Sequence, residues 1–382
     1  MDFIVLFLIV VLGLGFVRLF KSRLSPTALS HLQLLWFYHV VFGIYYCFFI
    51  QGDAIGYWEV AKRLNYTEFL YGLTQKGTYF MFSLNYFPSQ VLGLSYFSGT
   101  LLYSLIGFMG LCFFYVTCYQ LIPYNSSFMG YALFPFLFFL PNLHFWSCAV
   151  GKDTLLFFAV GAFVYGLLQP VKRLPLLLLA LAVSYFVRPH ITLFLALSFG
   201  IAYLLSSKVS TFQRVFFTLV LLGVGVAILP TVLEFARIEE ATFDSFSQFS
   251  SSKSDVLSRA NVDTRIDISS YPFPLKVFSF LFRPFFFDIN GIPAVLASFE
   301  NLLLLVLCFK VVRQELRSTF FQSPFVLKGL VLFLIFGTLA FSQSLGNIGI
   351  MIRMRNMFLP GLLLFILWSM SYQQAQQASR TV

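Results

Sequence analysis

The sequence predicts an all-α fold, a polytopic transmembrane bundle of about eleven spans with two longer external segments. Of its 382 residues, 59% are hydrophobic and only 10% are charged, and the mean hydropathy is +0.85. An ordinary soluble domain carries roughly 25% charged residues, so cytosolic and secreted enzymes are excluded. The long unbroken apolar runs are typical of membrane helices, whereas β-barrel strands show only a weak alternation. We expect residues 1–382 to form a single integral membrane domain.

Apolar windows predict the helices in chain order. The first run is followed, and not preceded, by basic residues such as Arg18 and Lys21, which favours a retained helix over a cleaved signal peptide. The predicted helices cover residues 3–20, 34–51, 94–121, 127–146, 154–170, 174–188, 191–206, 215–234, 291–309, 329–344 and 357–372.

Short basic connectors fall on one side when the spans alternate, and the positive-inside rule makes that side cytoplasmic. The N-terminus is then outside, with an even number of spans as the alternative. Two long segments, 51–93 and 235–291, lie outside. The first has an amphipathic pattern that predicts an interfacial helix over 53–64, and the second ends in the aromatic run 285–287. The connectors contain Lys21 and Arg23, Lys172 and Arg173, Lys208 and Arg214, and Lys310, Arg313, Arg317 and Lys328.

Several function classes lack their sequence signatures. A net charge of +10 would suit a nucleic acid, but the basic residues are spread among short connectors, so no nucleic-acid partner is expected. No P-loop, G-x-S-x-G or dinucleotide motif occurs. The four His and five Cys have no metal-ligand spacing. We therefore predict no metal site and no resident cofactor, and leave open whether a divalent cation is required.

Basic residues in short external connectors are the main candidates for a binding site, because the charge bias of membrane proteins disfavours them there. A guanidinium fork matches phosphate oxygens, so Arg and Lys that converge at a membrane face suit a diphosphate attached to a lipid. The alternative for each residue is headgroup anchoring by a snorkelling side chain. The candidates for binding a substrate diphosphate are Lys152, Arg188, Arg283, Arg353 and Arg355.

Carboxylates and one histidine on the same face are candidates for catalysis. Asp53 could act as a general base or bind a cation, or it could cap the interfacial helix. His190 could shuttle a proton or donate to a phosphate. Asp153 stands at a predicted helix start, where the alternative is an interaction with the helix dipole. Asp288 could orient Arg283.

Two resemblances to known families rest on these residues. The stretch GDAIGYWEVAKRL, residues 52–64, resembles the first external loop of C-type glycosyltransferases, which use polyprenyl-phosphate sugars. In that family an acidic loop residue supports catalysis, and Asp53 is the matching position. Over more of the chain, Lys152-Asp153, Arg188-Pro189-His190, FSFLFRPFF at 278–286 and Arg353-Met354-Arg355 look like bacterial O-antigen and exopolysaccharide polymerases. The polymerases are favoured, since Asp53 follows the second predicted span and not the first.

The resemblance implies a bacterial inner-membrane glycosyltransferase or polymerase that joins polyprenyl-diphosphate-linked sugars at the outer face during surface polysaccharide synthesis. Its partners would be the polyprenyl-linked glycan, membrane lipids and polysaccharide assembly proteins. One alternative is a flippase or carrier of lipid-linked oligosaccharide, for which Glu300 and Asn301 are the clearest intramembrane polar residues. The other is a noncatalytic scaffold of a polysaccharide assembly complex.

Overall fold

The computed structural model describes residues 2–50, 52–206, 210–236, 271–289, 291–313, 316–345 and 347–380. Across these ranges the protein is 81% helical, which confirms the all-α prediction. One short antiparallel hairpin pairs β1 (Ser127–Phe128) with β2 (Tyr131–Ala132). The helices are α1 (Asp2–Arg18), α2 (Pro26–Phe49), α3 (Asp53–Ala61), α4 (Tyr66–Thr74), α5 (Thr78–Tyr86), α6 (Tyr96–Leu121), α7 (Leu133–Phe136), α8 (Pro141–Phe145), α9 (Lys152–Leu167), α10 (Leu174–Val187), α11 (Pro189–Leu204), α12 (Thr211–Ala236), α13 (Phe273–Phe282), α14 (Ile292–Val312), α15 (Leu316–Gln322), α16 (Phe325–Ser344), α17 (Ile348–Arg355) and α18 (Leu359–Arg380).

Several helices have the length and composition of membrane spans. In the described ranges five qualify, namely α2, α6, residues Thr211–Glu234 of α12, α14 and α16. The bent pair of α17 and α18, with 59° between its halves, raises the number to six. The chain therefore has the architecture of a membrane protein, while the count of eleven spans stays a prediction.

The contacts divide the chain into two compact units, Met1–Thr192 and Leu193–Val382. The helices α6 and α9 form the core of the first unit and run in the same direction. They approach most closely at two glycines, because a Cβ on Gly161 would lie 2.6 Å from the carbonyl oxygen of Gly110. Small residues allow such close approach of membrane helices. Phe16 of α1 meets Phe113 of α6 at 5.8 Å between ring centroids, so α1 also lies against this core.

The predicted span 127–146 is wrong as a continuous helix. The hairpin is followed by α7, a 3-10 turn (Leu137–Phe139) and α8. Pro135 and Pro141 lack an amide hydrogen and restrict the residues before them, so no continuous helical ladder forms. Because α6 and α9 run in the same direction, the segment between them must lead from the end of α6 back to the end of the unit where α9 begins. Irregular backbone of this kind is tolerated at membrane depth only where protein buries it.

The predicted interfacial helix forms as α3, but its apolar face is covered by protein. Trp58 is fully buried, and its Nε1 donates to the carbonyl of Leu94 at 3.3 Å. Its ring fills the space beside Gly99 of α6, where a Cβ would lie 2.4 Å from it. The segment predicted to be the first external one is therefore a folded part of the first unit, built from α3, α4, α5 and a π-helical turn (Phe87–Val91).

The second unit is built around α13, α14, α16, α17 and α18. A Cβ on Gly361 would lie 2.7 Å from the carbonyl oxygen of Leu330, so α16 and α18 are in close contact. Most of the predicted external segment 235–291, and Lys208, lie outside the described residues. The aromatic run that ends this segment is described: Phe285 stacks on Phe278 at 5.9 Å and Phe286 meets Phe299 edge-on at 5.0 Å.

Candidate functional site

A cluster of charged side chains lies where α9 begins and α10 ends. Asp153 and Arg188 form an ion pair, with 3.4 Å between Arg188 Nη1 and Asp153 Oδ1. The side chain of Arg188 is 14% exposed and that of Asp153 is 9% exposed, so the pair is largely withdrawn from solvent. Two of the residues predicted from the sequence are thereby brought into contact.

The segment that contains α3, α4 and α5 forms another side of the same cluster. Lys152 Nζ donates to Thr78 Oγ1 at 2.8 Å and lies 5.7 Å from the centroid of the Tyr57 ring. Gly77 has a φ of 70°, which glycine adopts without strain, and its amide donates to the carbonyl of Phe186 at 2.8 Å. This bond holds the start of α5 against the end of α10. We refer to Tyr57, Thr78, Lys152, Asp153 and Arg188 as the α9 cluster.

Helix electrostatics explain two of the three charges in the α9 cluster. Asp153 lies in the first turn of α9, where the helix dipole favours a carboxylate, and Arg188 is the C-cap of α10, where it favours a cation. Lys152 is an ammonium at the first residue of a helix, where the dipole disfavours a cation by roughly 0.3–1 kcal/mol. The stability of α9 therefore does not account for the position of Lys152, which contacts Thr78 and Tyr57.

The two other predicted catalytic residues of this unit also lie at helix starts. Asp53 is the exposed first residue of α3, and the cap position is occupied by Gly52. The alternative role of Asp53 as an N-cap is therefore wrong. His190 is the second residue of α11 and is half-buried, two residues after Arg188. A carboxylate and an imidazole are thus present at the starts of α3 and α11, near in sequence to the elements of the α9 cluster.

In the second unit, Arg283 is held by Asp288. Arg283 Nε donates to Asp288 Oδ2 at 2.9 Å and Nη2 donates to Oδ1, so the pair is bidentate. The side chains are 11% and 6% exposed. The hydrogen bonds that Arg283 donates to Asp288 raise the pKa of Arg283, which keeps the guanidinium charged. This geometry agrees with the expectation that Asp288 orients Arg283.

Arg355 is buried inside the second unit, with 1% of its surface exposed. Its Nη1 donates to the carbonyl oxygen of Leu281, and to that of Arg283 at 3.4 Å. Its Nη2 donates to Asn301 Oδ1 at 2.7 Å. The carbonyls at the end of α13 have no partners within the helix, so the guanidinium satisfies them. These contacts satisfy donors of Arg355 within the protein and hold α13 against α14, while its predicted role in binding a diphosphate stays a prediction.

Three further predicted residues belong to the same unit. Arg353 lies in the last turn of α17 and is half-buried. Glu300 and Asn301, the polar residues expected of a carrier, are 3% and 0% exposed. Asn301 Nδ2 donates to the carbonyl of Pro284 at 2.8 Å, and its Oδ1 accepts from Arg355. The amide of Asn301 therefore belongs to the bonding network around Arg355.

A buried histidine pair was not predicted from the sequence. The Nδ1 atoms of His39 and His144 are 3.0 Å apart, and both residues are fully buried. His144 Nε2 lies 2.8 Å from the carbonyl oxygen of Phe138, which can only accept. The neutral His144 ring therefore accepts at Nδ1, and His39 donates from its Nδ1. The two residues are 105 positions apart in the sequence, so no spacing pattern indicates that they pair.

Metal ligands do not gather in the parts of the chain that the structure describes. No group of three or more His, Cys, Asp or Glu side chains there could hold a metal ion. The five cysteines are free thiols, and Cys112, Cys118 and Cys148 are buried.

Comparison with protein-family models, with curated proteins and with solved structures finds no match for this chain.

Proposed function

We propose that the chain is a membrane glycosyltransferase of the polysaccharide-polymerase type, which joins polyprenyl-diphosphate-linked sugars or repeat units. The observation that carries the proposal is the position of Lys152, a cation at a helix start beside the Asp153–Arg188 pair. A cation that the helix does not need, next to a guanidinium already fixed by a carboxylate, suits the diphosphate of a lipid-linked sugar.

Each residue of the first unit has a role in this reaction. The bond from the sugar C1 to the diphosphate oxygen breaks, and a bond from C1 to the acceptor hydroxyl oxygen forms. Lys152 and Arg188 offset the negative charge that grows on the leaving diphosphate. Asp153 is a positioning residue, because it holds Arg188. Asp53 or His190 accepts the proton of the acceptor hydroxyl. In the second unit, Arg283 and Arg353 remain candidates for binding a diphosphate.

The distribution of charge in the first unit supports an outward-facing α9 cluster. The first unit has five carboxylates, namely Asp2, Asp53, Glu59, Glu68 and Asp153. They stand at the starts of α1 and α9 or in the external segment, whereas the connectors after α1 and before α10 carry only basic residues. The positive-inside rule then assigns those basic connectors to the cytoplasm.

The proposal places the protein in a bacterial inner membrane with eleven crossings. These are the five long helices, the bent pair of α17 and α18, the shorter helices α1, α9, α10 and α11, and the broken segment before α9. Polysaccharide assembly proteins are its expected partners.

The test compares surface glycan in a deletion strain complemented with the wild-type chain, Lys152→Met or Lys172→Met at matched protein levels. Lys172 is an exposed lysine at the opposite end of the first unit, so it controls for the lost charge. We expect Lys152→Met to lose long chains and to accumulate single lipid-linked repeat units that face outward. Lys172→Met should retain the wild-type length distribution.

Two other outcomes would count against the proposal. Precursor trapped on the cytoplasmic side in the deletion strain would indicate a flippase. Normal long chains in the Lys152→Met strain would remove the residue on which the proposal rests.

A further inference from the structure

The C-terminal end of α9 carries a second concentration of charge, which is of one sign only. Arg23 follows α1 and Arg173 precedes α10, and both guanidinium groups lie against Tyr165 near the end of α9. The guanidinium carbon of Arg173 is 3.6 Å from the centroid of the Tyr165 ring, and that of Arg23 is 5.7 Å from it. Three separate segments of the chain therefore bring two cations to one aromatic ring.

The protein uses few of the donors that these two groups offer. Arg173 Nη1 donates to the Tyr165 carbonyl, and Arg23 Nη1 donates to the Tyr165 hydroxyl. Arg173 Nη2 is buried and has no hydrogen-bond partner among the described residues. Each guanidinium has five N–H donors, and Arg23 is exposed, so most of its donors remain for a ligand.

The two positive charges are not balanced by a carboxylate. Neither Arg23 nor Arg173 forms a salt bridge with a carboxylate in the described ranges. Burial, and also the like charge of Arg23, lower the pKa of Arg173, while Tyr165 opposes this shift. The two guanidinium groups therefore repel each other, and a bound anion would relieve that repulsion.

The surroundings of the pair match the boundary of a bilayer. Leu19 is 70% exposed and Val171 is 89% exposed, and each stands within a few residues of one of the two arginines. Apolar side chains left exposed beside cations are typical of a site that contacts an acyl chain and a headgroup together.

We propose that Arg23, Arg173 and Tyr165 form a binding site for a phosphate group, and that its occupant is the headgroup of an anionic lipid. Two guanidinium forks bind phosphate oxygens through charge-assisted hydrogen bonds, which a single lysine cannot reproduce. The Tyr165 ring holds the two forks in position. This site is independent of the α9 cluster, because it lies at the other end of α9.

The experiment measures lipid binding to the full chain in detergent by native mass spectrometry. The probes are phosphatidylglycerol, phosphatidylcholine and, in a separate arm, inorganic phosphate. The double variant Arg23→Gln/Arg173→Gln is compared with Lys21→Gln/Lys172→Gln, which removes the same charge from exposed positions of the same connectors. We expect the affinity of the arginine variant for phosphatidylglycerol to fall about tenfold, because the loss of a hydrogen bond to a charged group has an effect of about that size. The lysine variant should stay within about twofold of the wild type.

The outcomes distinguish a specific binding site from general electrostatic attraction. An equal loss in the arginine and lysine variants would overturn the proposal, because charge alone would then explain binding. Saturable binding of inorganic phosphate without a preference for phosphatidylglycerol would overturn the lipid assignment. If thermal unfolding shows that the glutamine variant is misfolded, Arg23→Lys/Arg173→Lys decides instead. That variant keeps the charge but loses the forks, so wild-type affinity in it would refute the site.

Discussion

The Asp153–Arg188 pair should contribute far more to the stability of the first unit than an exposed ion pair does. The distance of 3.4 Å between Arg188 Nη1 and Asp153 Oδ1 corresponds to about 5 kcal/mol of Coulomb attraction at an effective dielectric constant of about 20. Desolvation offsets part of this. Removing one partner, however, leaves the other charge largely buried, which typically costs 3–5 kcal/mol.

The assay is a double-mutant cycle on the free energy of unfolding, measured by SDS titration in mixed micelles with tryptophan fluorescence. Asp153→Asn and Arg188→Gln are each expected to destabilise by about 3 kcal/mol, and the double variant by much less than the two together. The matched control is a cycle on Glu59 and Lys62, whose side chains are 42% and 34% exposed. That pair should show a coupling energy of about 0.2–1 kcal/mol.

A coupling energy for Asp153 and Arg188 as small as that of the control pair would refute this reasoning. It would mean that water screens the two charges despite their low exposure. Arg188 would then be free to leave Asp153, and the assignment of Asp153 as the residue that orients it would fail as well.

Three further substitutions test other contacts. Gly161→Ala should lower the unfolding free energy by about 1–3 kcal/mol in the same titration, because its Cβ would meet the backbone of α6. Arg355→Met should destabilise the protein in thermal unfolding by about 1–3 kcal/mol for each buried acceptor that loses its donor, whereas Arg353→Gln should change stability by less than about 1 kcal/mol. His144→Leu should cost about 1–3 kcal/mol in the same measurement, since the His39 donor and a buried carbonyl lose their partner.

Each of these three predictions has either a control variant or an outcome that would contradict it. Gly56→Ala is the control for Gly161, because nothing lies within 4 Å of a Cβ there and the exposed helical site should tolerate it. Equal effects of Arg353→Gln and Arg355→Met would contradict the structural role assigned to Arg355. Unchanged stability in His144→Leu would show that the histidine pair is not bonded as described.

The helices could be predicted wherever a long apolar run decides the structure. The window 94–121 matches α6 at Tyr96–Leu121 to within two residues at its start, because a largely apolar run of this length without a charged residue forms a helix in a bilayer. The window 127–146 failed because hydropathy does not register Pro135 and Pro141, which break the helix without making the segment polar. The face of α3 was also misassigned, since the pattern around Trp58 is the same whether lipid or α6 covers it.

The candidate site was predictable as a set of residue types but not as a set of contacts. Lys152 and Arg188 could be selected because basic residues at predicted external helix ends oppose the usual bias, and Asp153 because it lies on the same predicted face. The contact between Asp153 and Arg188 depends on how α9 packs against α10. A local sequence pattern carries no information about that packing. The burial of Arg355 could not be predicted from the sequence either, because an arginine that caps α13 and one that binds a diphosphate have the same sequence context.

The length of α9 has a consequence for the membrane around the first unit. Its 16 residues make a helix about 24 Å long, whereas the hydrocarbon core of a bilayer is about 30 Å thick. In the proposed topology α9 crosses the membrane, so Lys152 and Tyr165 cannot both reach the headgroup level of an undeformed bilayer. Either the bilayer thins beside this unit or at least one charged end is recessed below the membrane surface. Under the proposed function, a polyprenyl diphosphate bound at a recessed Lys152 would have its reacting bond partly shielded from bulk water.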